Sequence, residues 1–125
     1  MKIFQQIILP FVILLSLDSI YLTTNYKYFQ TQVVKVQHAA MIPKIGGIIA
    51  CYLFLFFGLY HFIIKPRKTP FEALLFGLVI YGVYETTTYS LLKNWDLKTV
   101  FIDTAWGGIL FYLTTYITYE IMRFF

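Results

Sequence analysis

Residues 42–64 read IPKIGGIIACYLFLFFGLYHFII, and KPRKTP follows at 65–70. From Ile45 to Ile64 there is no Asp, Glu, Lys or Arg, and at ~1.5 Å per residue such a run covers a ~30 Å hydrocarbon core as an α-helix. Pro43 fits a first helical turn, where a missing N–H is tolerated. The two prolines and three cations of 65–70 cannot continue an apolar helix and end it. This stretch decides the fold: the chain belongs in a bilayer.

The flanking sequence repeats the pattern. A run from about Phe71 to Leu92 is followed by Lys93, Asn94, Trp95, Asp96, Leu97 and Lys98, and then by a run from about Thr99 to Met122. Ile3 to Leu22 is also long enough to cross. A cleaved signal peptide is the rival reading of that first run, but Leu17, Asp18, Ser19, Ile20 and Tyr21 offer no small-x-small cleavage site, which favours a retained helix. Residues 23–41 mix Asn25, Lys27, Gln30, Gln32, Lys35, Gln37 and His38 with Tyr28, Phe29, Val33, Val34 and Val36, as suits a segment lying along the interface. The expectation is an all-α four-helix transmembrane bundle with short loops. It forms one integral, multi-pass membrane domain over 1–125, with helices at about 3–22, 42–64, 71–92 and 99–122 and a possible interfacial segment at about 23–41.

Composition agrees. Hydrophobic residues make up 59% of the chain, charged ones 13%, and the mean hydropathy is +0.70, far from soluble averages. The net charge of +4 arises from cations placed between the apolar runs, and no polar segment is long enough to form the basic face that nucleic acid requires. Lys2, Lys65, Arg67, Lys68 and Arg123 fall on one side, and Lys27, Lys35, Lys44, Lys93 and Lys98 on the other. The dense cations of 65–70 favour that side, with both termini, as the cytoplasmic one. Cys51 is a lone cysteine and reads as a small buried hydrophobe. His61 has no second spanning histidine to pair with for haem, and no cofactor is implied.

Three carboxylates fall inside the expected spans: Asp18, Glu85 and Asp103. Counted from the expected helix ends, each lies ~6 to 11 Å inside the same face, so the three share one layer. A charged carboxylate in hydrocarbon costs ~2.5 kcal/mol or more, so they should face the bundle interior and take a partner. A shared proton or a bound cation resolves three like charges at one level. Tyr81, Glu85, Thr88 and Tyr89 recur at spacings of three and four, Asp103 lies one turn from Trp106 and Gly107, and Tyr21 follows Asp18 by three. The bland alternative is that acids near a helix end reach the interface, and Asp103 also gains from its helix dipole. Seven glycines, Gly46, Gly47, Gly58, Gly77, Gly82, Gly107 and Gly108, read as sites of close helix packing. No nucleophile-base-acid set, phosphate-cradling loop or HExxH pattern occurs, which speaks against a conventional hydrolase.

The runs LDSIYL at 17–22, CYLFLFFGLYHF at 51–62, YGVYETTTYSLLKNW at 81–95 and DTAWG at 103–107 resemble the DUF2177 family of predicted four-helix membrane proteins. Its pattern has Leu-Asp before an aromatic-Leu pair, a Tyr-Asp-Leu-Thr-Asn run, a Trp, and Asp-x-x-Trp-Gly. The resemblance carries these onto Leu17, Asp18, Tyr21, Leu22, Tyr84, Glu85, Thr87, Trp95, Asp103, Trp106 and Gly107. Here Glu85 stands for Asp, Thr86 for Leu and Thr88 for Asn, so the acid survives and an amide is lost. The resemblance implies a fold and membership but no mechanism.

The sequence therefore nominates Asp18, Glu85 and Asp103 as an intramembrane binding layer, supported by Tyr21, Tyr81, Tyr84, Thr87, Thr88, Tyr89, Trp95, Trp106 and Gly107. Proton or cation binding or transport is the first expectation. A lipid-modifying enzyme or enzyme subunit is the second, with the acids as general acid/base groups. A membrane assembly partner is the third. The expected partners are the lipid bilayer, a proton or cation, and a second copy of the chain or another membrane protein.

Overall fold

The computed structural model describes residues 2–39, 41 and 43–124. Among them there is no strand, and five α-helices account for nearly all of the chain: α1 (Ile3–Thr24), α2 (Tyr26–Gln37), α3 (Ile45–Leu59), α4 (Pro70–Leu91) and α5 (Leu97–Met122). The segment Tyr60–Ile64 prolongs α3 as a wider π turn. Three helical stretches are long and apolar enough to cross a membrane: Ile3–Thr24, Ile45–Ile64 and Leu97–Met122. Helix α4 is as long as α1, 22 residues each. Its C-terminal half, however, carries Glu85, Thr86, Thr87, Thr88, Tyr89 and Ser90, which make it the least apolar of the four long helices.

Local chemistry explains the boundaries. The Asn25 side chain donates to the Tyr21 carbonyl at 2.9 Å, parallel to its own backbone N–H at 3.0 Å, so α1 ends there and α2 restarts one residue later. The expected interfacial segment is thus largely helix, and α2 stops at His38 in the left-handed conformation, with its N–H on the Val34 carbonyl at 2.8 Å. Ile42, the expected start of the second span, lies outside the described residues, and α3 starts at Ile45. Before Pro66, Lys65 donates its N–H back five residues to Tyr60 at 2.8 Å, which widens the last turn of this span. The Thr69 hydroxyl accepts the Glu72 N–H at 3.1 Å, Pro70 opens α4, and Glu72 sits in its first turn, three N-terminal signals in register. Helix α5 begins at Leu97, two residues before the expected start, because the extended Asp96 offers its carbonyl to the N–H groups of Thr99 and Val100.

Helices α4 and α5 form the most extensive pair, α1 leans on α5, and α3 touches the bundle chiefly through α1. Glycine permits the α4–α5 approach: a Cβ on Gly77 would lie 2.2 Å from the Gly107 carbonyl oxygen, and one on Gly107 would lie 2.2 Å from the Tyr81 ring. The core holds Leu14, Leu55, Leu59, Ile63, Ile64, Ala73, Leu110 and Phe111. The first half of α3, Ile45 to Leu53, is exposed apart from Tyr52, which is lipid-facing surface for a helix in a bilayer.

Candidate functional site

Each acid sits six residues from the same end of the bundle: Asp18 before Thr24, Glu85 before Leu91 and Asp103 after Leu97. At ~1.5 Å per residue that is a common depth of ~9 Å. Glu85 is 1% exposed, Asp18 is 6% exposed, and Asp103 is partly buried between them.

Neutral donors hold the layer. On Asp18, the Trp106 indole N–H donates to Oδ1 at 2.9 Å and the Tyr52 hydroxyl donates to Oδ2. On Asp103, the Tyr21 hydroxyl donates to Oδ1 at 3.3 Å. On Glu85, the Trp95 indole N–H donates to Oε1 at 3.3 Å. Glu85 and Asp103 also lie within hydrogen-bonding reach of each other. Trp106 joins the halves by stacking on Tyr21, with ring centroids 4.5 Å apart and planes 12° apart. Indoles, phenols and the acids themselves supply these contacts, and among the described residues no Lys, Arg or His pairs with any of the three.

The remaining nominated residues divide. Tyr81 lies over Gly107 and makes an edge contact with Phe111 at 6.3 Å, so both Tyr81 and Gly107 shape the wall of the layer. Tyr84 (62% exposed), Tyr89 and Thr87 face outward, and the Thr88 hydroxyl donates to the Tyr84 carbonyl of its own helix at 2.9 Å. The inward polar face expected on this helix is therefore narrower. It turns on Glu85 and Tyr81: Tyr84 and Thr87, one and two positions from Glu85, point about 100° and 200° away from it, and Tyr89, about 40° from it, is 47% exposed near the end of the helix.

Tyr52 was absent from the sequence reading. In CYLFLFF it has the look of packing, and nothing local marks a phenol that meets an acid on another helix. A second polar cluster was also missed. The buried Gln32 of α2 donates to the Asn94 carbonyl at 2.9 Å and accepts the Asp96 N–H at 3.0 Å and the Thr99 hydroxyl at 2.6 Å. Tyr28 bonds Thr99 at 2.8 Å, and Lys35 pairs with Asp96 at 2.9 Å. This clamp fixes the α4–α5 turn that carries Trp95.

On the far side of the layer, Leu14, Leu110 and Phe111 are fully buried one turn below Asp18, Trp106 and Gly107. They separate the acids from the end that carries 65–70. Among the described residues no three His, Cys, Asp or Glu side chains are disposed to hold a metal ion.

No curated protein and no solved structure matches the chain. The family model described as "Predicted membrane protein (DUF2177)" matches residues 3–120. With nearly its whole length covered, the chain belongs to the DUF2177 family of membrane proteins.

Proposed function

We propose that this chain crosses the membrane four times and that its acidic layer binds a proton shared between Glu85 and Asp103. The fourth crossing is α4. From Leu74 and Leu78 against Gly108, through Gly77 and Tyr81 against Gly107, to Gly82 beside Thr104, its middle runs antiparallel along the spanning helix α5. A helix in that register reaches the same depth as its partner, and α4 turns the polar side chain of Glu85 inward.

The contact between Glu85 and Asp103, with no cation beside them, carries the functional reading. Two carboxylates in contact in a low-dielectric interior repel strongly, and Tyr21 and Trp95 supply hydrogen bonds but no charge. One proton between the two acids removes the repulsion and supplies the missing donor. A proton is favoured over a metal cation because the three acids do not converge as a ligand set. The apolar plug of Leu14, Leu110 and Phe111 leaves the layer facing the α2 side, so the proton enters from that side. Passage to the other face requires the helices around the plug to move.

Infrared difference spectroscopy of the reconstituted protein tests this directly. A protonated-carboxyl band is expected in the wild type, lost in Glu85→Gln and shifted in Asp103→Asn. A band that survives both substitutions unchanged overturns the reading. Proton flux in liposomes under a pH gradient, abolished by Glu85→Gln, is the expected signature if the bound proton is passed across.

A further inference from the structure

We infer that the cavity under α2 binds the phosphate of an anionic phospholipid headgroup. The cavity measures about 340 Å³ and is lined by Lys27, Tyr28, Thr31, Gln32, Lys35 and Asp96. Its charges do not cancel. The Asp96 carboxylate is taken by Lys35, whose ammonium reaches both oxygens at 3.0 and 2.9 Å. Lys27 has no ion-pair partner among the described residues. Lys98 is not a lining residue, but its ammonium lies 5.8 Å from the ring centroid of Tyr28, which is, and it too has no ion pair among the described residues. One unpaired cation thus lines the cavity and a second lies over the ring of a lining residue, while the one lining carboxylate is already neutralised, and the complementary ligand is an anion.

Position selects the anion's source. Helix α2 has 12 residues, too few to span, and the Gln32 clamp seats it on the turn at the end of α5. That is headgroup depth, where lipid phosphates are the most concentrated anions and where basic side chains on an amphipathic helix meet them. Tyr26 and Val34 of α2 are exposed, as suits rings and methyls that rest against acyl chains. The clamp itself is satisfied without a ligand, so the cavity is a preformed seat and not a gap in the packing.

The site is separate from the acidic layer and has the opposite charge, so it stands or falls independently of the proton reading. The test is native mass spectrometry of the full chain in detergent, titrated with phosphatidylglycerol, phosphatidylcholine and inorganic phosphate. Phosphatidylglycerol is expected to bind at least tenfold more tightly than phosphatidylcholine and to resist displacement by inorganic phosphate. Combined Lys27→Gln and Lys98→Gln should weaken phosphatidylglycerol about thirtyfold, on the basis of the contribution of each surface cation to anionic-lipid attraction. Lys44→Gln, which removes a cation outside the cavity, should leave binding unchanged. Both lysines of the double variant are exposed, so its unfolding temperature without lipid should match the wild type. Equal binding of the two lipids, an equal loss in Lys44→Gln, undiminished binding in the double variant, or equal competition by inorganic phosphate would each overturn the assignment.

Discussion

Gln32 and Glu85 are both almost wholly buried, 2% and 1% exposed, yet they are buried on different terms. Gln32 is neutral, and it exchanges donor and acceptor bonds with a backbone carbonyl, a backbone N–H and a hydroxyl. Glu85 is an acid facing another acid, with one indole to steady it. A neutral amide whose oxygen accepts two bonds and whose nitrogen donates a third is a structural fastener, whereas two neighbouring carboxyl groups with no cation beside them repel each other unless one is protonated. One end of the bundle holds both arrangements, with the Trp95 turn between them.

The largest expected effect breaks the layer and the bundle together. A methyl added by Gly77→Ala would lie 2.2 Å from the Gly107 carbonyl oxygen, and a backbone atom cannot swing aside as a side-chain tip can. Separation of α4 from α5 should cost about 3 kcal/mol, the upper part of the overpacking range, and should part Glu85 from Asp103. Thermal unfolding in detergent, together with loss of the carboxyl band, checks both consequences.

Next in size is the fastener. Gln32→Leu leaves the Asp96 N–H and the Thr99 hydroxyl without their acceptor, and a loss of about 1–3 kcal/mol follows. If Gln32 is purely structural, this loss is the same at every pH and the carboxyl band persists. A pH-dependent loss would erase the distinction between the two regions.

Within the layer, Glu85→Gln and Asp103→Asn should be coupled. Either one removes the repulsion between the two acids, so the second change adds little, and a double-mutant cycle in unfolding free energy should show about 1 kcal/mol of interaction. Additivity within about 0.3 kcal/mol would mean that the two carboxyls titrate independently.

How much of this was legible in the sequence depends on what each residue had to break. Glu85 interrupts an apolar run, so it announces itself, and its depth followed from helix lengths alone. Asp18 and Asp103 were placed in the same way, Trp106 followed from its spacing of one turn from Asp103, and Trp95 came from the family pattern. Tyr52 interrupts nothing, since a phenol among Phe and Leu has the same apolar body, and only the fold shows which acid its hydroxyl meets. Tyr84 and Thr87 were nominated by the family pattern and Tyr89 by its spacing of four from Glu85, but the face of a helix that turns inward is set by packing against α5 around Gly77 and Gly107. Gln32 was read as interface because two of its three partners are backbone groups of a distant turn, and backbone groups carry no sequence signature.

The smallest effect sharpens the comparison from outside. Lys35 and Asp96 form an ion pair with both side chains about half exposed, 48% and 45%. Water and salt screen such a pair, and the ordering of two flexible side chains offsets much of the attraction, so Lys35→Met should change stability by no more than about 0.5 kcal/mol. If Gln32 alone fastens α2 to the turn, Gln32→Leu will exceed Lys35→Met severalfold in the same unfolding assay. A Lys35→Met loss of about 2 kcal/mol that fades at high salt would show the opposite: the turn would be held by charge, and the end of the bundle beside the acidic layer would depend on ionic strength.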